Sequence, residues 1–293
     1  MKSLKKKLVL GSANIARTYG INNSNLAKNS SLEDIFILLK RKKIFFIDTA
    51  HAYENSERNL SEFNLKKFNI ISKLPIMYRD KNKKKIESQI INYVNKSLKK
   101  LKIKSFYALL IHNTKDLRGK QGEKIFKTLR LLKKQNIVKK IGYSIYNPKE
   151  LDKHFIKFKP DLIQGPLNLF DQRIINSGWI DRLNKNGVEF HARSIFLQGL
   201  LLKKFKNIPK KFKKYNNIFK KYHSWLKKNG INSLEACLLF ISSIKLLSKI
   251  VVGVDNVKQL NEIINFKIIK KKINFKEMNC IKTNLINPTS WQI

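Results

Sequence analysis

Eight short apolar runs are spaced along the chain, each followed by a longer stretch with apolar residues at helical spacing. The runs fall at residues 7–10, 44–47, 69–72, 106–111, 138–143, 161–164, 188–193 and 249–252. Several are apolar almost throughout, as strands of a parallel sheet buried on both faces require. Residues 106–111, FYALLI, are the plainest case. Between the runs the pattern predicts helices at 31–42, 56–67, 84–100, 122–135, 147–158, 173–186, 233–244 and 257–266. Ile86, Ile90, Val94 and Leu98 mark the buried face of the third. Ser31 and Ser233 stand where helix N-caps belong, and Asp34 suits the positive end of the first helix. Pro148 falls in a first turn and Gly187 just past a last one. Two segments break the alternation. Residues 199–230 are basic and aromatic and predict an inserted loop and helix, and residues 274–293 predict a packed irregular tail around a short helix.

A strand followed by a helix, repeated eight times, predicts right-handed βαβ units and a parallel sheet. Eight such units close into a (β/α)8 TIM barrel, the α/β class expected here. The alternative, a doubly wound open sheet, lacks its glycine fingerprint, because Gly11 stands without a GxGxxG. No linker or shift in composition divides the chain, so residues 1–293 are expected to form one domain.

Composition changes this picture little. At 293 residues and 42% hydrophobic, the chain can bury a large core. It carries 62 Lys+Arg against 20 Asp+Glu, a formal net charge of +42. Such a charge attracts polyanions in a salt-dependent way. The basic residues are spread along the whole length instead of forming one module, so no specific nucleic-acid partner is expected. Cys237 and Cys280 have no metal-ligand spacing and read as reduced thiols of a cytoplasmic protein; no metal is expected. The basic start runs into a strand that breaks at Gly11, Ser12 and Asn14, unlike a signal peptide. No run of about 20 apolar residues predicts a membrane span.

The polar residues at the strand ends carry the chemistry. In a β/α barrel the loops that leave those ends converge on one mouth. Asp48 ends the second strand, Lys73 the third and His112 the fourth, while Tyr53 lies in the loop after Asp48. A free phenol has a pKa of about 10 and is a poor acid at neutral pH. An ammonium beside it favours the phenolate, and a carboxylate keeps that ammonium charged and in place. A histidine can hydrogen-bond the substrate oxygen. Such a group suits carbonyl reduction, in which a hydride reaches carbon while the phenol protonates oxygen. Each residue alone also has an ordinary structural reading, as a loop cap, a packed aromatic, one lysine among many, or a satisfied histidine.

The stretch IDTAHAYENSE at 47–57 resembles the signature of the aldo-keto reductase family. The resemblance continues through ISKL around Lys73, LLIHN around His112, GYSIYNPKEL at 142–151, DLIQGPLNLFDQR at 161–173, ARSIFLQGLL at 192–201 and VVGVDNVKQLNEI at 251–263. It implies a (β/α)8 barrel that binds NADP(H) or NAD(H) at its mouth and acts on a small carbonyl compound, alcohol or sugar. It assigns Asp48, Tyr53, Lys73 and His112 as the catalytic tetrad, with Tyr53 as general acid. Ser144 and Gln164 would hold the nicotinamide carboxamide, and Arg193 would stack on the ring. Ser194, Leu197, Gln198 and Gly199 would follow the pyrophosphate. Gly253, Asp255, Asn256, Gln259 and Glu262 would surround the adenosine.

The chain departs from the family pattern in four places. Glu54 replaces the usual glycine after the tyrosine, Ile145 replaces an asparagine, and Arg193 an aromatic residue. Asp255 stands where NADPH-preferring members often carry a basic residue, which points toward NADH or a relaxed preference, with Lys258 nearby able to offset it. Tyr78, Asn113, Phe170, Tyr215, Tyr222 and Trp225 are available to shape a substrate pocket. Two other classes of function stay open at this point, a nucleotide-binding regulatory barrel with little turnover and a polyanion-binding basic protein.

Overall fold

Apolar runs too short for helices, and too continuous for a one-sided sheet, become the staves of a barrel. The computed structural model describes residues 4–13, 29–53, 55–77, 85–269 and 271–291. Its strands are β1 (Leu8–Gly11), β2 (Phe46–Asp48), β3 (Asn69–Lys73), β4 (Phe106–Ile111), β5 (Val138–Ser144), β6 (Leu162–Pro166), β7 (Glu189–Arg193) and β8 (Lys249–Val252). All pair in parallel and in chain order, and β8 returns to pair with β1. The open-sheet alternative is thereby excluded. Val9, Ile71, Ala108, Leu110 and Leu162 meet inside the barrel as a small separate core. At its N-terminal end Glu189 accepts from Tyr107 Oη and pairs with Lys140 Nζ at 2.7 Å. β5 and β6 approach so closely that a Cβ on Gly142 would lie 1.7 Å from the Leu162 carbonyl oxygen, which explains the glycine there.

Around the barrel run α1 (Asn29–Arg41), α2 (Ser56–Leu60), α3 (Ile86–Leu101), α4 (Gly119–Lys134), α5 (Lys149–Phe158), α6 (Arg173–Asn176), α7 (Trp179–Lys185), α8 (Asn216–Lys228), α9 (Ser233–Ser243) and α10 (Val257–Ile264). The apolar stripe of α3 buries Ile86, Ile90, Tyr93, Val94 and Leu101, and the helix stops where Lys102 turns left-handed. Among the described residues no helix is long and apolar enough to cross a membrane.

Several expected helices change in the structure. The first begins at Asn29, two residues before Ser31. The helix expected at 56–67 ends at Leu60: Ser61 Oγ donates back to the Arg58 carbonyl, and Phe63 folds over to stack on Phe36 at 3.9 Å. The helix expected at 173–186 splits into α6 and α7 because Gly178 between them adopts φ 71°. The cap of α9 is Asn232, not Ser233. Asn232 accepts from the Glu235 amide while Glu235 accepts from the Asn232 amide, a reciprocal capping box. Asn232→Ala is expected to cost about 1 kcal/mol, read as a lower urea midpoint at unchanged slope.

The insertion after β7 runs through three short 3-10 turns into α8, which buries Phe219, Tyr222, Trp225 and Leu226. The tail, residues 274–291, packs over it. Phe212 meets Trp291 edge-on at 4.9 Å, and the Cys280 amide donates to the Phe170 carbonyl. Tyr222, Trp225 and Phe170 are therefore core residues and do not line the main cavity described below. Cys237 and Cys280 are both free and buried, and burial pushes the Cys237 thiol up to about 12.

Candidate active site

The C-terminal strand ends gather the four residues first singled out. Asp48 and Lys73 are the last residues of β2 and β3, and His112 directly follows β4. Strand pairing sets Asp48 opposite Ile71 and Lys73 opposite Leu110, so the three neighbouring strands bring these side chains to one level. Lys73 Nζ donates to Asp48 Oδ2 at 2.6 Å and to the Thr49 carbonyl at 3.0 Å. The other carboxylate oxygen of Asp48 accepts from Gln164 Nε2 at 2.7 Å. Both members of the pair are almost fully buried. Tyr53 sits over them. Its ring centre is 5.2 Å from Lys73 Nζ and 6.1 Å from the His112 ring, which meets it edge-on. Glu54 and Tyr78 lie outside the described residues.

Burial governs the electrostatics. It pushes the Lys73 ammonium below its ordinary range, Asp48 pulls the other way, and Arg193 adds to the downward push. Burial also lowers His112 to about 3, helped by the charges of Lys73 and Arg193. His112 is therefore neutral at physiological pH, and its buried Nδ1 has no hydrogen-bond partner among the described residues. Between about pH 6.5 and 3 the unfolded chain carries a proton on this imidazole and the folded chain does not. Stability then falls as pH drops through that window. Urea midpoints at pH 7 and pH 4 are expected to show wild type losing on the order of 2 kcal/mol more than His112→Gln over this interval.

A cavity of about 720 Å³ opens above Tyr53 and Asp48, within the usual range for a small-molecule site. Of the residues expected at a nucleotide, Gln164, Arg193, Ser194, Gln198, Gly199, Gly253, Asp255, Gln259 and Glu262 line it. Ser144, Leu197 and Asn256 do not. Ser144 is buried at the end of β5, in register with Gln164. Leu197 is buried in the core, and Asn256 spends its side chain as the N-cap of α10, accepting from the Gln259 amide. Lys73 and His112 stand beneath or beside the cavity wall and are not part of it.

After β7 the backbone is left-handed at Ser194, Leu197, Gln198 and Gly199. Non-glycine residues held in this region cost of order 1 kcal/mol each and cluster at ligand clamps. The sequence reading missed Gly11 and Ala13 as wall residues. It also missed Leu202, Lys204, Phe205, His223 and Leu226 from the insertion. The spacing of His223 and Leu226, three apart on α8, was a signal that both share a face.

The family model described as aldo/keto reductase family matches residues 7–283. No curated protein matches the chain. Among solved structures, the aldo-keto reductase AKR11C1 from Bacillus halodurans, in its holo form, is 14% identical with a TM-score of 0.68, covering 93% of this chain and 89% of its own. The glycerol dehydrogenase AKR11B4 from Gluconobacter oxydans is 18% identical with a TM-score of 0.67, covering 92% and 88%. At these identities the structures share the barrel, while the family match runs through nearly every strand and strand end described above. On that match, the chain belongs to the aldo/keto reductase family and is an NAD(P)-dependent oxidoreductase.

Proposed function

We propose that the protein transfers a hydride between a nicotinamide dinucleotide and a small carbonyl compound, alcohol or sugar, with Tyr53 as the general acid. The observation that carries this reading is the convergence of Tyr53, the Lys73–Asp48 pair and His112 at one end of a cavity large enough for a dinucleotide's reactive half. The chain also has the donors and acceptors such a cofactor needs. Gln164 Nε2 is committed to Asp48, while its buried Oε1 has no partner among the described residues and can accept from a carboxamide N–H. Ser194, Gln198 and Gly199, on their left-handed turn, would face the phosphates.

The bound dinucleotide supplies or accepts the hydride. The chain's own residues handle the proton. Tyr53 lines the cavity and gives its O–H proton to the substrate oxygen. Lys73, held by Asp48, favours the phenolate that results. Neutral His112 orients the carbonyl by hydrogen bonding and does not donate a charge. At the far end Asp255 and Glu262 both line the cavity. Two carboxylates there disfavour a 2′-phosphate, so the preferred cofactor is NADH, with Lys258, close in sequence to Asp255, as a partial offset.

Quenching of tryptophan fluorescence tests the cofactor reading. NADH is expected to bind more tightly than NADPH, and Asp255→Ser to narrow the gap about tenfold, equivalent to about 1.4 kcal/mol. A panel of aldehydes, ketones, polyols and aldoses then tests turnover. If neither nucleotide binds, the reading fails. Binding without turnover across the panel would favour the regulatory barrel instead.

A further inference from the structure

Arg193 stands out at the reacting end of the cavity because no carboxylate pairs with it among the described residues. It is nevertheless held in place. One terminal nitrogen donates to the Ile145 carbonyl at 3.0 Å, and the other reaches Ser194 Oγ at 3.4 Å. Its Cζ lies 4.5 Å from the centre of the Tyr146 ring. Arg193 lines the cavity and Tyr146 does not. Pro166 pairs with Arg193, and Gln164 with His191, in the β6–β7 register. Arg193 thus ends the strand beside the one that carries Gln164. A flat ring whose amide reaches Gln164 Oε1 would cross the next strand end and lie on Arg193.

The local charge count follows from the same geometry. Lys73 is matched by Asp48, and both carboxylate oxygens of Asp48 are already taken, by Lys73 and by Gln164. His112 is neutral. Arg193 leaves one uncompensated positive charge, in a setting where its field is felt at both Lys73 and His112. The oxidised nicotinamide ring is a cation and the reduced ring is neutral.

Resting on the nucleotide reading above, we infer that Arg193 discriminates between the two oxidation states of the bound nicotinamide, repelling the oxidised ring and accepting the reduced one. Tighter binding of the reduced form makes the bound oxidised form a stronger hydride acceptor than it is in solution. A tenfold ratio of dissociation constants corresponds to about 30 mV for a two-electron couple. The site is thereby biased toward oxidising an alcohol. In that direction the hydride leaves the alcohol carbon, the O–H proton passes to the Tyr53 phenolate, a carbonyl forms, and the ring charge beside Arg193 is cancelled.

The test needs no substrate. Dissociation constants of NADH and NAD+ are measured by fluorescence quenching and calorimetry for wild type, Arg193→Met and Arg193→Lys at one ionic strength. Wild type is expected to bind NADH at least tenfold more tightly than NAD+. In Arg193→Met that ratio is expected to fall about tenfold, chiefly through tighter NAD+, and in Arg193→Lys to stay near wild type. A ratio unchanged in Arg193→Met, with both forms still binding, overturns the inference alone. Failure of wild type to bind either form overturns the nucleotide reading beneath it.

Discussion

Tyr53→Phe is expected to lower kcat by about 10²- to 10⁴-fold, the usual contribution of a positioned general acid, while nucleotide affinity changes by less than about twofold. The argument is one of elimination among the gathered groups. Tyr53 and Asp48 line the cavity, and Lys73 and His112 do not. Both oxygens of Asp48 already accept hydrogen bonds, from Lys73 and Gln164, so neither is free to face a substrate. Burial holds His112 down at about 3, so an imidazolium is scarce at neutral pH. Lys73 is tied to Asp48 and to the Thr49 carbonyl. The phenol is left as the acid. Phenylalanine preserves the ring that meets His112 edge-on and lies over the Lys73 ammonium, so the variant removes the O–H and little else. Steady-state rates over the substrate panel, with parallel nucleotide titrations, decide the matter. Equal rates in the two proteins would remove Tyr53 from its role.

The strands were the legible part of the fold, for a physical reason. A parallel barrel buries both faces of each strand, which leaves unbroken apolar runs. Residues 106–111 and 249–252 were read to the residue. Helix ends were less legible because long-range packing decides them. Nothing local to residues 56–67 shows that Phe63 will stack on Phe36, far back in the chain, and so end the helix at Leu60. The split at Gly178 did carry a local signal, a glycine after a serine, but its helical flanks masked it.

The strand-end cluster of the candidate site was more legible than the far wall of the cavity. Asp48, Lys73 and His112 are fixed by strand register, which alternation and strand length already specify. The far wall is built from loops and from the insertion, whose path depends on packing against the tail. Phe212 meets Trp291, and Tyr222 Oη donates to the Leu201 carbonyl. Composition alone could not show that Tyr222 and Trp225 turn inward while His223 faces the cavity. Asn256 illustrates a second limit. Its amide suits a ligand as well as a helix cap, and only the structure shows the cap being made.

Lys73→Met is expected to destabilise the protein by about 3–5 kcal/mol, the cost of leaving a buried charge without its partner, and to abolish measurable turnover. Lys73 is 1% exposed and Asp48 2%. Methionine fills most of the stem's volume, so the loss reports the charge and its hydrogen bonds more than a cavity. After the change Asp48 keeps one hydrogen bond, from Gln164, and its other oxygen faces an apolar thioether. The prediction that separates this account from simple packing loss is the double variant. In Asp48→Asn/Lys73→Met the buried carboxylate is gone as well, so the double variant should be more stable than Lys73→Met alone by about 1–3 kcal/mol. Urea unfolding of wild type, both single variants and the double variant closes this cycle, with circular dichroism confirming a folded starting state. If Lys73→Met were no more costly than the same change at exposed Lys100, within about 0.5 kcal/mol, then Lys73 would not be neutralising Asp48. The support claimed for the Tyr53 phenolate would then lose its source.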